Sequence, residues 1–241
     1  PVVGDFTGDG RSDIVVEYKY ADGGDRAGMT ALWLFDDVLN SNRRPVQLWL
    51  EPEDRWDGDL TKLVAGDFTG DGIGDIAALY EPDYSVGPEF YDIQVRLQES
   101  VATSGFTYGT IWSQLESETG SPDWDWDRLV PLSGDYSGDG VSDIAVVCDT
   151  KEADGDLGPG VWVFDDVDSG EDPHFRFNLK PAYDWDNMKW VSADYSGDGK
   201  SDLVGVLDHY KSTADTDGET WMIYTPWVNQ ETGKNAAVIW D

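Results

Sequence analysis

Asp5-Phe6-Thr7-Gly8-Asp9-Gly10-Arg11-Ser12-Asp13-Ile14 decides the fold, because the stretch returns three times further along the chain. Its copies are Asp67-Phe68-Thr69-Gly70-Asp71-Gly72-Ile73-Gly74-Asp75-Ile76, Asp135-Tyr136-Ser137-Gly138-Asp139-Gly140-Val141-Ser142-Asp143-Ile144 and Asp194-Tyr195-Ser196-Gly197-Asp198-Gly199-Lys200-Ser201-Asp202-Leu203. First aspartates stand 62, 68 and 59 residues apart. A period of that size marks an array of one supersecondary unit.

Within the stretch, Asp holds positions 1, 5 and 9, and a hydroxyl residue holds position 3. Position 7 carries Arg11, Ile73, Val141 and Lys200, which share no side-chain chemistry. A position that supplies only its backbone carbonyl would tolerate that variety. Glycines at positions 4 and 6 permit a tight turn. Three carboxylates in nine residues repel one another unless a cation bridges them. The expected ion is calcium, one per loop and four in all, since no Cys or His occurs in the loops. An EF-hand would need a bidentate Glu at position 12, where Val16, Ala78, Val146 and Gly205 stand instead. A plain Asp/Gly hairpin turn is the alternative, and it requires neither three fixed acids nor the hydroxyl.

The flanks read as strands. Leu63-Val64-Ala65-Gly66 precedes one loop, and Ile76-Ala77-Ala78-Leu79-Tyr80 follows it. Third strands are expected at Ala31–Phe35, Tyr91–Val95, Val161–Phe164 and Thr220–Tyr224. Fourth strands are expected at Val46–Leu50, Thr110–Ser113, Phe175–Phe177 and Ala237–Trp240. Each unit of about 60 residues thus supplies four strands, the size of a propeller blade. The Asp/Gly-rich insertions 149–160 and 208–219 read as solvated loops.

On these loops the sequence resembles the FG-GAP/VCBS repeats of integrin-α-like calcium-binding β-propellers, also found in secreted lectins and bacterial surface proteins. The resemblance covers the whole chain as four repeats, approximately 1–62, 63–129, 130–189 and 190–241. It implies an all-β chain of four-stranded antiparallel blades, with the loop joining the first and second strand of each. It implies calcium ligands at Asp5, Thr7, Asp9, Arg11 (carbonyl) and Asp13, and at Asp67, Thr69, Asp71, Ile73 (carbonyl) and Asp75. In the other two loops they are Asp135, Ser137, Asp139, Val141 (carbonyl) and Asp143, and Asp194, Ser196, Asp198, Lys200 (carbonyl) and Asp202. Members of the family commonly close with seven blades. The four visible here either close among themselves or are continued by further blades or subunits.

Composition sets outer limits. The chain has 241 residues and 49 acids against 16 Lys and Arg, a formal charge of −33. That charge argues against nucleic acid and anionic membranes as partners. No apolar run has the roughly 20 residues that span a bilayer. Disorder is opposed by 12 Trp, 11 Tyr and 8 Phe, enough to build a core. Four divalent ions would offset only part of the charge, and an acidic solvated surface or a high-salt habitat accounts for the rest. The single Cys148 lies in an apolar run and reads as a small core residue. The chain opens at Pro1 without a signal peptide, so a processed chain or a fragment is expected.

No catalytic signature is found. His174 and His209 lie in no nucleophile or metal motif. The expected function is an extracellular or cell-surface binding module, with calcium loops suited to a compartment where free Ca²⁺ fills weak sites. Glycan recognition is suggested by the tryptophans and the lectin resemblance. Adhesion to an extracellular protein and a propeller domain of a polysaccharide lyase or hydrolase are the alternatives. Trp56-Asp57, Trp126-Asp127 and Trp185-Asp186 recur before successive repeats and read as packing between them. Trp124, Trp227, Tyr84, Tyr108 and Tyr210 lack counterparts in other repeats and are the ligand-binding candidates.

Overall fold

The fold is taken from a computed structural model. It describes the chain except residues 22, 40–42, 53–55, 82–90, 99–108, 116–123, 153–154, 179–184, 186–187, 210–218, 226–236 and 241. The described residues form sixteen strands and a 3₁₀ turn at Gly58–Leu60.

The strands make four antiparallel sheets, each a meander in chain order. Sheet 1 contains β1 (Val2–Gly4), β2 (Asp13–Lys19), β3 (Thr30–Phe35) and β4 (Val46–Glu51). Sheet 2 contains β5 (Thr61–Gly66), β6 (Asp75–Tyr80), β7 (Tyr91–Gln98) and β8 (Gly109–Leu115). Sheet 3 contains β9 (Trp124–Gly134), β10 (Asp143–Glu152), β11 (Gly155–Phe164) and β12 (His174–Asn178). Sheet 4 contains β13 (Met188–Ala193), β14 (Asp202–His209), β15 (Glu219–Thr225) and β16 (Ala237–Trp240). First strands therefore begin at Thr61, Trp124 and Met188, ahead of the repeat bounds at 63, 130 and 190.

Second strands are the most deeply buried. Every residue of β6 is buried, and Ile144–Cys148 of β10 is fully enclosed, as suits a strand covered on both faces. Cys148 is buried, as its apolar run implies. The insertion at 149–160 departs from expectation. Instead of a solvated loop it extends the β10–β11 hairpin, with Asp149 opposite Pro159 and Glu152 opposite Gly155. Pairing to an already buried neighbour outweighs the turn preference of its Asp and Gly residues. At the other insertion, His209 pairs with Glu219, and 210–218 lie outside the described residues.

One irregularity recurs in all four sheets. The third and fourth strands shift register between Leu32 and Trp33, Val95 and Arg96, Val161 and Trp162, and Met222 and Ile223. These are equivalent positions, so the bulge belongs to the repeat and increases the local twist of each outer strand.

The chain divides into two compact units. Pro1–Ser121 with Asp166–Glu171 form one, and Pro122–Asp165 with Asp172–Asp241 form the other. Each unit has a core between its two sheets. In the first, Val2, Phe6, Val15, Leu32, Leu34, Trp49 and Trp56 pack on Ile76, Ala78, Leu63 and Ala65. In the second, Tyr136, Ala145, Val147, Val161 and Val163 pack on Met188, Trp190 and Leu203. The two cores use equivalent positions, so within each unit the trailing face of the first sheet meets the leading face of the second.

Candidate cation loops and their surroundings

Each loop hangs between the first two strands at one register. Gly4 pairs with Asp13, Gly66 with Asp75, Gly134 with Asp143 and Ala193 with Asp202. The position-9 aspartate is thereby the first residue of the second strand, and its side chain is buried in all four copies. Glycines at positions 4 and 6 have positive φ in every loop, from 71° at Gly8 to 91° at Gly140. A side chain at either position would meet the strain of left-handed backbone.

The carboxylates organise the turn through backbone amides. Asp5 accepts from the amides of Asp9 at 3.1 Å and Gly10 at 2.8 Å. Asp67, Asp135 and Asp194 accept from the same two places. At position 5, one oxygen of each Asp accepts from the position-7 amide, at 2.8–2.9 Å. At position 9, Oδ2 of Asp13, Asp75, Asp143 and Asp202 accepts from the amide of position 2.

The other oxygen at position 9 is different. Oδ1 of Asp143 and of Asp202 is buried with no hydrogen-bond partner. A buried carboxylate oxygen left in that state costs free energy. Burial pushes the Asp143 carboxyl up to about 7, opposed by the Ser137 and Tyr136 amides and reinforced by Asp165 and Asp139. Asp13 is raised chiefly by burial too, with the Thr7 hydroxyl opposing and Asp36 adding to the rise. Among the described residues, no three His, Cys, Asp or Glu side chains form a metal-holding group. The predicted ligands thus share each loop, while their carboxylates are engaged with the loop's own amides.

Asp36 and Asp165 were not singled out by the loop motif. They belong to a second repeated signature, Phe35-Asp36-Asp37-Val38 and Phe164-Asp165-Asp166-Val167, which the sequence displays but the calcium pattern overshadows. Asp36 pairs with Arg43, and Asp165 pairs with Arg176 and lies 3.0 Å from His174 Nδ1. His174 opens β12 and His209 closes β14, so both are strand-end residues.

Within each unit, neighbouring loops are joined. The Asp5 carbonyl accepts from the Gly74 amide at 2.7 Å, and the Asp135 carbonyl accepts from the Ser201 amide at 2.6 Å. Both bonds run from position 8 of one loop to position 1 of the loop before it. Position 7 adds a side-chain contact: Ile73 lies over Gly8, and Lys200 lies over Gly138 and donates to the Ser137 carbonyl at 2.6 Å. Position 7 therefore does more than offer a carbonyl, and its varied side chains fit the particular loop each one covers.

The aromatic candidates divide. Trp124 is a correction: it is buried in sheet 3, edge-on to Trp162 at 5.7 Å and Phe164 at 6.4 Å. Its long apolar surface is covered by neighbouring rings, so no sugar can stack on it. Trp227, Tyr84, Tyr108 and Tyr210 lie outside the described residues. Of the Trp-Asp pairs, Trp56 is buried between Trp49 and Tyr80 and Trp185 packs against the second unit's core, while Trp126 is half-buried in β9. Packing suffices to explain the first two.

Trp56 also contacts an unusual acid. Its Nε1 donates to Glu17 Oε1 at 3.0 Å, beside the Asp57 and Asp59 carboxylates that hold Lys19 at 2.7 and 2.9 Å. Burial pushes the Glu17 carboxyl up to about 7, with Trp56 opposing and the two aspartates adding to the rise. An acid raised on folding binds more protons native than unfolded. Its contribution is complete below about 4.5 and is lost as pH rises through about 7. Glu17→Gln is therefore expected to raise the melting temperature at pH 8, by up to about 3 kcal/mol of stability, and to leave it nearly unchanged at pH 4. Thermal melts of both proteins at the two pH values provide the check.

No family model matches the chain, and no curated protein does. Among solved structures, the chain is similar to an Agrocybe aegerita lectin described as recognising non-reducing terminal N-acetylglucosamine, at 16% identity and TM-score 0.49. That alignment covers 92% of this chain and 48% of the lectin. It is also similar to the exotype rhamnogalacturonan lyase YesX, at 15% identity and TM-score 0.49, covering 92% of this chain and 44% of the lyase. The chain spans about half the length of both.

Proposed function

We propose that the four sheets are blades of a β-propeller, that each inter-strand loop takes one calcium ion, and that the assembly is an extracellular glycan-binding module. The observation that carries the calcium reading is the buried, unpartnered Oδ1 of Asp143 and Asp202 inside loops whose donor set is oxygen alone. A hard cation offers that oxygen the partner the protein withholds. Asp at positions 1, 5 and 9, the hydroxyl at position 3 and the carbonyl at position 7 would hold it. Bound there, calcium supplies positive charge that removes carboxylate repulsion, and the loop stiffens between its two strands.

The sheet order supports the propeller reading, because each sheet is a four-stranded meander and each unit packs trailing face on leading face. Glycan binding rests on the unmatched aromatics Trp227, Tyr84, Tyr108 and Tyr210, now without Trp124. A glycan array probed in calcium, beside Trp227→Ala, tests it. The wild type is expected to retain a defined set of glycans and the variant to lose at least about tenfold in affinity, as removal of a stacking ring costs upwards of 1.4 kcal/mol. Both proteins should melt at the same temperature. An array with no retained glycan, or release of new reducing ends from polysaccharide, turns the reading toward protein adhesion or hydrolysis respectively.

A further inference from the structure

The four loops divide into two kinds. Numbered by sheet, loops 1 and 2 carry Phe-Thr at positions 2 and 3, and loops 3 and 4 carry Tyr-Ser. The geometry follows the same division. Oδ1 of Asp143 and of Asp202 is buried without a partner, whereas neither Asp13 nor Asp75 has an unpartnered buried oxygen. Besides the Phe6 amide, the Asp13 carboxylate accepts from the amide of Asp37, whose backbone is left-handed at φ 50°. Asp166, the counterpart of Asp37 in sheet 3, is not left-handed. The position-3 hydroxyls differ as well. Thr7 lies beside the Asp13 carboxylate, and Thr69 donates to Asp75 Oδ2 at 3.2 Å. The Ser137 and Ser196 hydroxyls instead lie 3.5 Å from Oδ1 of Asp135 and Asp194 at position 1. Those two oxygens also accept from the Gly138 and Gly197 amides, at 2.5 and 2.7 Å. Neighbouring loops do not explain the division. Loops 1 and 3 are each bonded by the following loop of their unit, yet they fall on opposite sides of it.

We infer that the loops take calcium in two classes, tightly in loops 3 and 4 and more weakly in loops 1 and 2. The inference rests on the calcium reading above and adds to it an order of filling. A buried oxygen without a partner has already lost its water, so a cation that meets it gains a contact at no further desolvation cost. In loops 1 and 2 the same oxygen must release or share a donor of the protein, and the net gain is smaller. Restoring one buried acceptor separates the classes by at least about tenfold in dissociation constant. Calcium at a concentration between the two constants therefore fills and stiffens the loops of sheets 3 and 4 alone. The chain thus responds to calcium in two stages, and each stage belongs to one compact unit.

Calcium titration of the full chain after chelator treatment, read by calorimetry and by equilibrium dialysis, tests it. The wild type is expected to bind two ions in a first step and two more at concentrations at least about tenfold higher. Two paired variants assign the steps. Asp139→Asn with Asp198→Asn is expected to abolish the first step, and Asp9→Asn with Asp71→Asn to abolish the second and keep the first. All four aspartates are exposed, and Asn retains an oxygen for the position-7 amide, so both variants are expected to fold, with circular dichroism as the check. The step pattern of the wild type needs no variant and stands as a test by itself. Four ions bound in one step overturn the inference and leave the calcium reading intact. Loss of the first step in the Asp9 and Asp71 variant also overturns it. A wild type that binds no calcium overturns both together.

Discussion

In excess chelator the chain is expected to melt about 10 °C below its midpoint in calcium at tenfold the loop dissociation constant. Each filled loop then contributes about 1.4 kcal/mol, or about 3 kcal/mol for a unit holding two loops. The effect has a definite origin. Without the ion, the carboxylates of each loop stay close, and the buried oxygens of Asp143 and Asp202 lack partners. Readdition of calcium should restore the midpoint, and magnesium should do so poorly because it demands a tighter octahedron. A melting curve indifferent to chelator would leave the loops as hydrogen-bonded turns, a reading their many amide contacts would then explain in full.

The second large effect is a reversal of sign at one residue. Asp143→Asn keeps an oxygen for the Tyr136 and Ser137 amides, which the aspartate now receives at 2.7 Å each. It also removes a buried charge. In chelator the substitution is expected to be neutral or stabilising, since the uncompensated carboxylate is gone. With calcium at tenfold the loop dissociation constant it is expected to cost up to about 1.4 kcal/mol, the whole contribution of that loop's ion, because a neutral amide replaces an anionic ligand. Chemical denaturation of both proteins under both conditions gives the four free energies needed. A cost of equal size with and without calcium would make Asp143 a purely structural acceptor.

The loops and their flanking strands were legible in the sequence because both are local. A turn that needs glycine at positions 4 and 6 must write those glycines into the chain, and all eight adopt positive φ. The third and fourth strands were legible from apolar runs, and they fall where expected. What stayed hidden depends on partners distant in sequence. Trp124 looked unmatched because the repeat was aligned on Trp126, yet Trp124-Asp125 stands as far before Asp135 as Trp56-Asp57 does before Asp67, and both rings are buried. Trp162 and Phe164, the partners that bury Trp124, lie some forty residues away. The hairpin across 149–160 was hidden by its turn-forming composition, although Cys148 opposite Gly160 already fixes its register. The shared bulge between third and fourth strands leaves no common residue, since Trp33, Arg96, Trp162 and Ile223 occupy the same place. Glu17 reads as an ordinary exposed acid until Trp56 is placed over it.

The cover that position 7 lays over the preceding loop bears on how such arrays can be recombined. Ile73 suits the small Gly8, and Lys200 suits a carbonyl left open at Ser137. The repeats are thus alike in outline but matched in order, like a set of keyed parts. Transplanting the sheet-4 repeat behind sheet 1 would bring a lysine beside Gly8 where an isoleucine now fits. Shuffled arrays should therefore fold worst at newly made boundaries, even with every loop motif intact. Engineers who exchange repeats would need to carry position 7 with the loop it covers, rather than with the loop it belongs to.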